Sequence, residues 1–155
     1  YPNWRVLLRR EKPNRRMDDI ELILRFFSLY GEKYNFYQAP MLEWLNNSMK
    51  ENQNSLNNFQ KFKGLFLETV DKIIELLDRD VFRGRGKFFN RAIFDAIMVA
   101  IAEGILNNNL VDNLKDRYDS LLNNPQFRDT LEKGTTDPKK VILRINLAKK
   151  YLLKN

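Results

Sequence analysis

Asn90-Arg91-Ala92-Ile93-Phe94-Asp95-Ala96-Ile97-Met98-Val99-Ala100-Ile101-Ala102 is the stretch whose reading decides the fold. From Ala92 to Ala102 it holds one polar side chain, Asp95. Such a run is long for a strand and too short for a membrane span of roughly 20 residues. It contains neither Pro nor Gly and is rich in Ala, Ile and Met, as a helix requires. A helix that is apolar all round is buried, so other helices must surround it. Asn90 is the natural cap, and the central helix is expected to cover about 90–106.

The rest of the chain supplies the partners. Asn3 to Arg10 reads as a short helix with Trp4, Val6, Leu7 and Leu8 clustered, ended by the turn signal Pro13-Asn14. Asp18 and Glu21 form a capping-box-like pair that opens a helix with Ile20, Ile23, Leu24, Phe27 and Tyr30 at helical spacing, stopped at Gly31. After the aromatic loop of Tyr34, Phe36 and Tyr37, a helix of about ten residues holds Met41, Leu42, Trp44, Leu45 and Met49. Leu56, Phe59, Phe62, Phe66, Val70, Ile73 and Leu77 keep helical spacing across Ser55 to Arg79, despite Gly64.

Beyond the central helix, Leu110, Leu114, Tyr118, Leu121 and Leu122 mark another amphipathic helix. Asn124-Pro125 and Asp137-Pro138 are cap-plus-N1 pairs. The first opens a short helix through Lys133, stopped by Gly134, and the second a last helix striped by Val141, Ile145, Ala148 and Leu152. No alternating strand pattern stands out. The expectation is an all-α fold, a single compact bundle of seven to eight helices forming one domain over 1–155.

Composition bounds the chemistry. The 155 residues contain no Cys and no His, which excludes thiol catalysis, His general bases, Ser-His triads and nearly all zinc sites. The balance of 27 Lys and Arg against 20 Asp and Glu gives +7, a moderate excess that suits a nucleic-acid or other anionic partner without demanding one. No signal peptide or membrane span is legible, so no membrane partner is expected. A chain opening on Tyr1 rather than Met is expected to be a piece of a longer protein.

Three basic segments stand out, over 9–16, 79–91 and 139–154. The middle one contains Arg83-Gly84-Arg85-Gly86-Lys87, where Gly allows close backbone approach and Arg grips phosphate as a fork. It matches no established phosphate-loop pattern, and an ordinary solvated loop before a buried helix is the favoured reading. Asp95 lies at i+4 from Arg91 and can pair with it or with an Arg elsewhere; Arg25 can pair with Glu21 or with an acid on a neighbouring helix. Asp18, Asp19 and Glu21 are the densest acidic group, yet a helix start already favours them without a metal. The aromatics Trp4, Phe26, Phe27, Tyr34, Phe36, Tyr37 and Trp44 are expected in the core rather than stacked on bases.

Three stretches together carry a resemblance. Arg15-Arg16-Met17-Asp18-Asp19-Ile20-Glu21-Leu22-Ile23-Leu24-Arg25-Phe26-Phe27 resembles an Arg-Arg-Met-x-Asp-x-Glu-x-x-Leu-Arg-Phe block. Phe89-Asn90-Arg91-Ala92-Ile93-Phe94-Asp95-Ala96 is similar to a Phe-Asn-Arg-Ala-x-Phe-Asp-Ala block, and Gly134-Thr135-Thr136 with Val141 and Arg144 to a closing segment. The blocks are those of GmrSD-type, modification-dependent restriction endonucleases, in the subunit with a ParB-like nucleotidase domain.

The resemblance implies a nucleotidase domain before this region, with an Asp-Gly-Gln-Gln-Arg type motif, and an HNH-type nuclease domain following or encoded beside it. Neither motif is in this chain, so it looks like the helical region alone, a scaffold and interaction module with no catalytic residues and no cofactor of its own. Nucleoside triphosphate and divalent metal belong to the parent protein, DNA is a candidate partner, and the expected location is the cytoplasm. Candidate contacts to nucleic acid or to the nucleotidase domain are Arg15, Arg16, Arg25, Arg83, Arg85, Lys87, Asn90, Arg91, Asp95 and Arg144. Those in the blocks either support the helical fold or face the missing domain. A nucleic-acid-binding helical domain is the alternative, and an enzyme built on Asp95 a third.

Overall fold

The central helix forms where its composition places it. In the computed structural model, which describes residues 1–13 and 16–155 apart from the side chain of Leu56, it spans Arg91–Leu106 and is α5. The Asn90 side chain caps it, accepting from the backbone N–H of Ala92 at 2.9 Å and of Ile93 at 3.2 Å. Every residue from Ala92 to Ala102, Asp95 included, is buried.

Seven other helices among the described residues surround it: α1 (Pro2–Leu8), α2 (Asp18–Leu29), α3 (Met41–Asn52), α4 (Leu56–Leu76), α6 (Leu114–Asn123), α7 (Pro125–Thr130) and α8 (Pro138–Leu152). Single 3-10 turns at Lys33–Phe36 and Val81–Arg83 complete the architecture, an all-α bundle. Helices α2, α4 and α8 pack directly on α5, while α1 lies on α4 and α3 on α2. The stripe Val141, Ile145, Ala148 and Leu152 is wholly buried, and Phe66, Val70, Ile73 and Leu77 bury the C-terminal part of α4. Trp4 joins α1 to this core, edge-on to Phe66 with ring centroids 5.2 Å apart.

Gly104 shows how the chain closes on itself. A Cβ there would lie 2.3 Å from Leu110 Cδ2 and 2.7 Å from Leu153 Cδ2. Its absence lets the isolated antiparallel bridge between Leu110 and Leu153 cross the last turn of α5.

Local signals succeed and fail for identifiable reasons. Asn124 and Asp137 cap α7 and α8, accepting from the N–H groups of Phe127 and Lys139. Asp18 does not cap α2: the cap is Met17, in the left-handed region at φ 56, and its side chain makes no capping bond. Asp18 instead faces Arg10 and Arg91, each at 3.8 Å. Helix α4 ends at Leu76 rather than Arg79, and α7 at Thr130 rather than Lys133. The aromatic loop divides: Tyr34 and Tyr37 are buried, donating to Asn146 Oδ1 at 2.6 Å and to the Thr136 carbonyl at 2.9 Å, whereas Phe36 stands 74% exposed rather than in the core.

Candidate functional site

A buried ionic cluster joins three distant parts of the chain. Arg25 on α2 grips the Asp95 carboxylate on α5 with both arms of its fork, Nε to Oδ1 at 3.0 Å and Nη2 to Oδ2 at 2.5 Å. Arg144 on α8 reaches the same Oδ2 at 3.5 Å and donates to the carbonyls of Thr135 at 2.6 Å and Thr130 at 3.3 Å. Asp95 and Arg144 are fully buried, Arg25 nearly so. The helix spacing that puts Arg25 on the inner face of α2 also leaves Glu21 one turn earlier at its rim, 3.9 Å away.

The charges do not balance inside: two guanidinium groups share one buried carboxylate. Guanidinium groups stay protonated in proteins, so the second cation must be held by carbonyl dipoles. Burial works against the charge on Arg25, but the Asp95 carboxylate outweighs it and raises its pKa. For Arg144, burial dominates, with Asp95 opposing and Arg25 reinforcing, and its pKa is lowered. Arg144 Nε is buried and has no hydrogen-bond partner among the described residues. Sealed from solvent, Asp95 and Arg144 cannot touch a substrate in this conformation; the cluster's work is to lock α2, α5, α8 and the turn at Thr135 together.

Asp95 thus pairs with arginines elsewhere and not with Arg91. Arg91 points outward to Glu21 at 3.6 Å and to Asp18.

The basic connector divides similarly. Arg83 turns inward, donating from Nη1 to the Leu7 carbonyl at 3.1 Å and from Nη2 to that of Leu8 at 3.4 Å. These are end carbonyls of α1, which have no partner within their own helix. Burial, and then the nearby Arg9, lower the Arg83 pKa against the pull of Asp80. Gly84, at φ +55, turns the chain where a Cβ would strike Ile93 Cδ1 at 2.8 Å. Arg85 and Lys87 beyond it are exposed, and so is Arg16; Asn90 is engaged as the α5 cap. Arg15 lies outside the described residues.

The start of the first basic segment meets the connector through an ion pair of Arg9 with Asp80, next to the α1 carbonyls that hold Arg83. Along α8 and just beyond it, Lys140, Lys149 and Lys154 pair with Asp129, Glu103 and Asp112 respectively. Phe88 is the feature the sequence pattern does not distinguish. It stands 86% exposed between Lys87 and Phe89, while Phe89 packs on Phe82 and Phe94. The one signal separating them is that Phe89, not Phe88, opens the block Phe89 to Ala96.

Among the described residues, no group of three or more Asp or Glu side chains is placed to hold a metal ion, and no helix is long and apolar enough to cross a membrane. Comparison with protein-family models, curated proteins and solved structures returns no match. Fold and cluster together define the class: an all-α bundle pinned by a buried Arg-Asp-Arg cluster.

Proposed function

We propose that the chain is the helical scaffold and interaction module of a GmrSD-like, modification-dependent DNA restriction protein of the phage-defence kind, not catalytic by itself. One observation carries the reading. The three stretches that resemble the family each send a residue into one buried cluster: Arg25 from the first, Asp95 from the second, Arg144 from the third. The Thr135 and Thr136 carbonyls of the third stretch bind Arg144 and Tyr37. Chance similarity in three separated segments gives no physical reason for such convergence; a shared helical core does. Its partners are then the nucleotidase domain and the HNH-type nuclease domain, with nucleoside triphosphate and divalent metal bound outside this region.

The test has two parts. The reading frame upstream of Tyr1 should encode an Asp-Gly-Gln-Gln-Arg type motif, and its absence removes the family reading. The helical region alone, given nucleoside triphosphates and Mg²⁺, should show no turnover; hydrolysis by the purified region overturns the non-catalytic part.

A second reading, nucleic-acid contact, is favoured by Phe88 with exposed Arg85 and Lys87 on the basic connector. An exposed aromatic next to a cation suits an unpaired base over a phosphate backbone. Single-stranded DNA should bind at low salt and be lost steeply as salt rises, with Phe88→Ala weakening it at every salt concentration. No binding at low salt removes this reading.

A further inference from the structure

The α2 stripe is longer than the core that should cover it. Ile20 remains 50% exposed and Phe59 on α4 54% exposed, although both hold helical spacing with apolar residues that are half-buried, Ile23, Leu24 and Phe27 on α2 and Phe62 on α4. Between them runs a trough. Its floor is Ile20, Ile23 and Phe27 of α2, Met49 of α3, and Phe59 and Phe62 of α4. It consists of a cavity of about 330 Å³ toward α3 and an adjoining one of about 580 Å³ toward α1, which share Ile20, Ile23, Phe27 and Phe59. Helix α2, twelve residues long, runs for roughly 18 Å at 1.5 Å per residue, which is about three helical turns.

Two lysines outside any ion pair among the described residues stand at its margins. Lys33 stands at the α3 end, its ammonium 5.3 Å from the Phe62 ring centroid and donating to the Phe27 carbonyl at 3.3 Å. Lys63 stands at the α1 end. Neither makes an ion pair among the described residues, whereas Asp19, the acid lining the α1 end, is engaged by Arg5 at 2.8 Å. The lining near Lys33 is otherwise neutral, with Ser48, Asn52, Ser55 and Asn58, while Glu51 acts on the Lys33 charge from outside the lining.

We infer that the trough between α2 and α4 is a docking site for the apolar face of an amphipathic helix whose flanks carry acidic residues. A trough open along its length covers one side of its occupant, which suits a helix with a single apolar stripe; small apolar ligands are instead enclosed over most of their surface. Anchors at i, i+3 or i+4 and i+7 would meet the floor, and carboxylates beside them would meet Lys33 and Lys63.

The probe is a synthetic fluorescent helical peptide with Leu at those positions and Glu on both flanks, followed by anisotropy at low salt. A second peptide carries Lys in place of Glu. The Glu peptide should bind saturably and more tightly than the Lys peptide. Ile20→Asp and Phe59→Ser should each weaken it by about tenfold or more, since each removes the burial of one large side chain. In Lys33→Glu with Lys63→Glu the preference should reverse. All four positions lie on the surface, and unchanged circular dichroism shows that the variants fold. Equal binding of the two peptides, or binding indifferent to Ile20 and Phe59, overturns the proposal. So does saturable binding of palmitate in place of the peptide, which would make the trough a lipid site. Self-association of the chain abolished by Phe59→Ser would assign it to a second copy and overturn it too.

Discussion

Asp95→Asn is the perturbation that tests the buried cluster most directly. The amide keeps the shape of the carboxylate but leaves the buried, charged Arg144 without a counter-charge and Arg25 with only Glu21 at the rim. Breaking a buried ion pair from one side costs roughly 3–5 kcal/mol, because the orphaned charge stays in the low-dielectric interior. Against a domain stability of about 5–15 kcal/mol, that brings the fold near its limit. With a urea slope of about 2 kcal/mol/M, the unfolding midpoint should fall by about 1.5–2.5 M.

The assay is urea titration followed by helical circular dichroism, with the slope checked for constancy. Replacing the whole cluster, as Arg25→Met with Asp95→Leu and Arg144→Met, should recover at least half of the loss, because apolar side chains of similar volume avoid the desolvation that the ion pairs only offset. A midpoint shift below about 0.5 M for Asp95→Asn would refute the reasoning. A triple variant no more stable than the single one would do the same.

Three further outcomes follow from other parts of the molecule. Gly104→Val should destabilise by about 1–3 kcal/mol in the same urea assay, since Leu110 and Leu153 already occupy the space a Cβ needs. Asn90→Ala should cost about 1 kcal/mol, freeing two N–H groups at the start of α5, and Asn90→Gly less than that. Stability should also fall on the alkaline side. Burial raises the Tyr118 phenol above its ordinary value near 10, and for Lys149 the burial penalty is outweighed by hydrogen bonds to Glu103 and Tyr34, which raise it too. Above about pH 10 the unfolded chain gives up these protons while the folded one keeps them, so stability present below that pH is lost as pH rises. Thermal melts across this range should show the fall, and Tyr118→Phe should make it shallower.

The limits of the local code are visible in particular residues. Caps that act within their own first turn, at Asn90, Asn124 and Asp137, follow from sequence because donor and acceptor are two or three residues apart. At Asp18 the same rule fails: a left-handed Met17 holds the helix start, and Asp18 faces Arg10, just beyond α1, and Arg91 at the start of α5. Of the candidate contact residues, Arg85, Lys87, Arg91 and Arg16 are exposed, while Arg25, Arg83, Asp95 and Arg144 lie inside. Nothing in the local pattern of Arg83-Gly84-Arg85 tells its two arginines apart; the carbonyls that claim Arg83 belong to Leu7 and Leu8.

By itself, then, the sequence determined the helices, their order and the burial of the stretch from Ala92 to Ala102, because hydrophobic periodicity is a property of neighbours along the chain. Only the tertiary structure decided which charge meets which. Arg25 and Asp95 stand seventy positions apart, and a Coulombic pairing over that separation exists only once packing has laid α2 against α5. The same packing leaves Ile20 and Phe59 half uncovered and turns Phe88 to solvent. At these three positions exposure is a property of the assembled bundle, and the local pattern does not encode it.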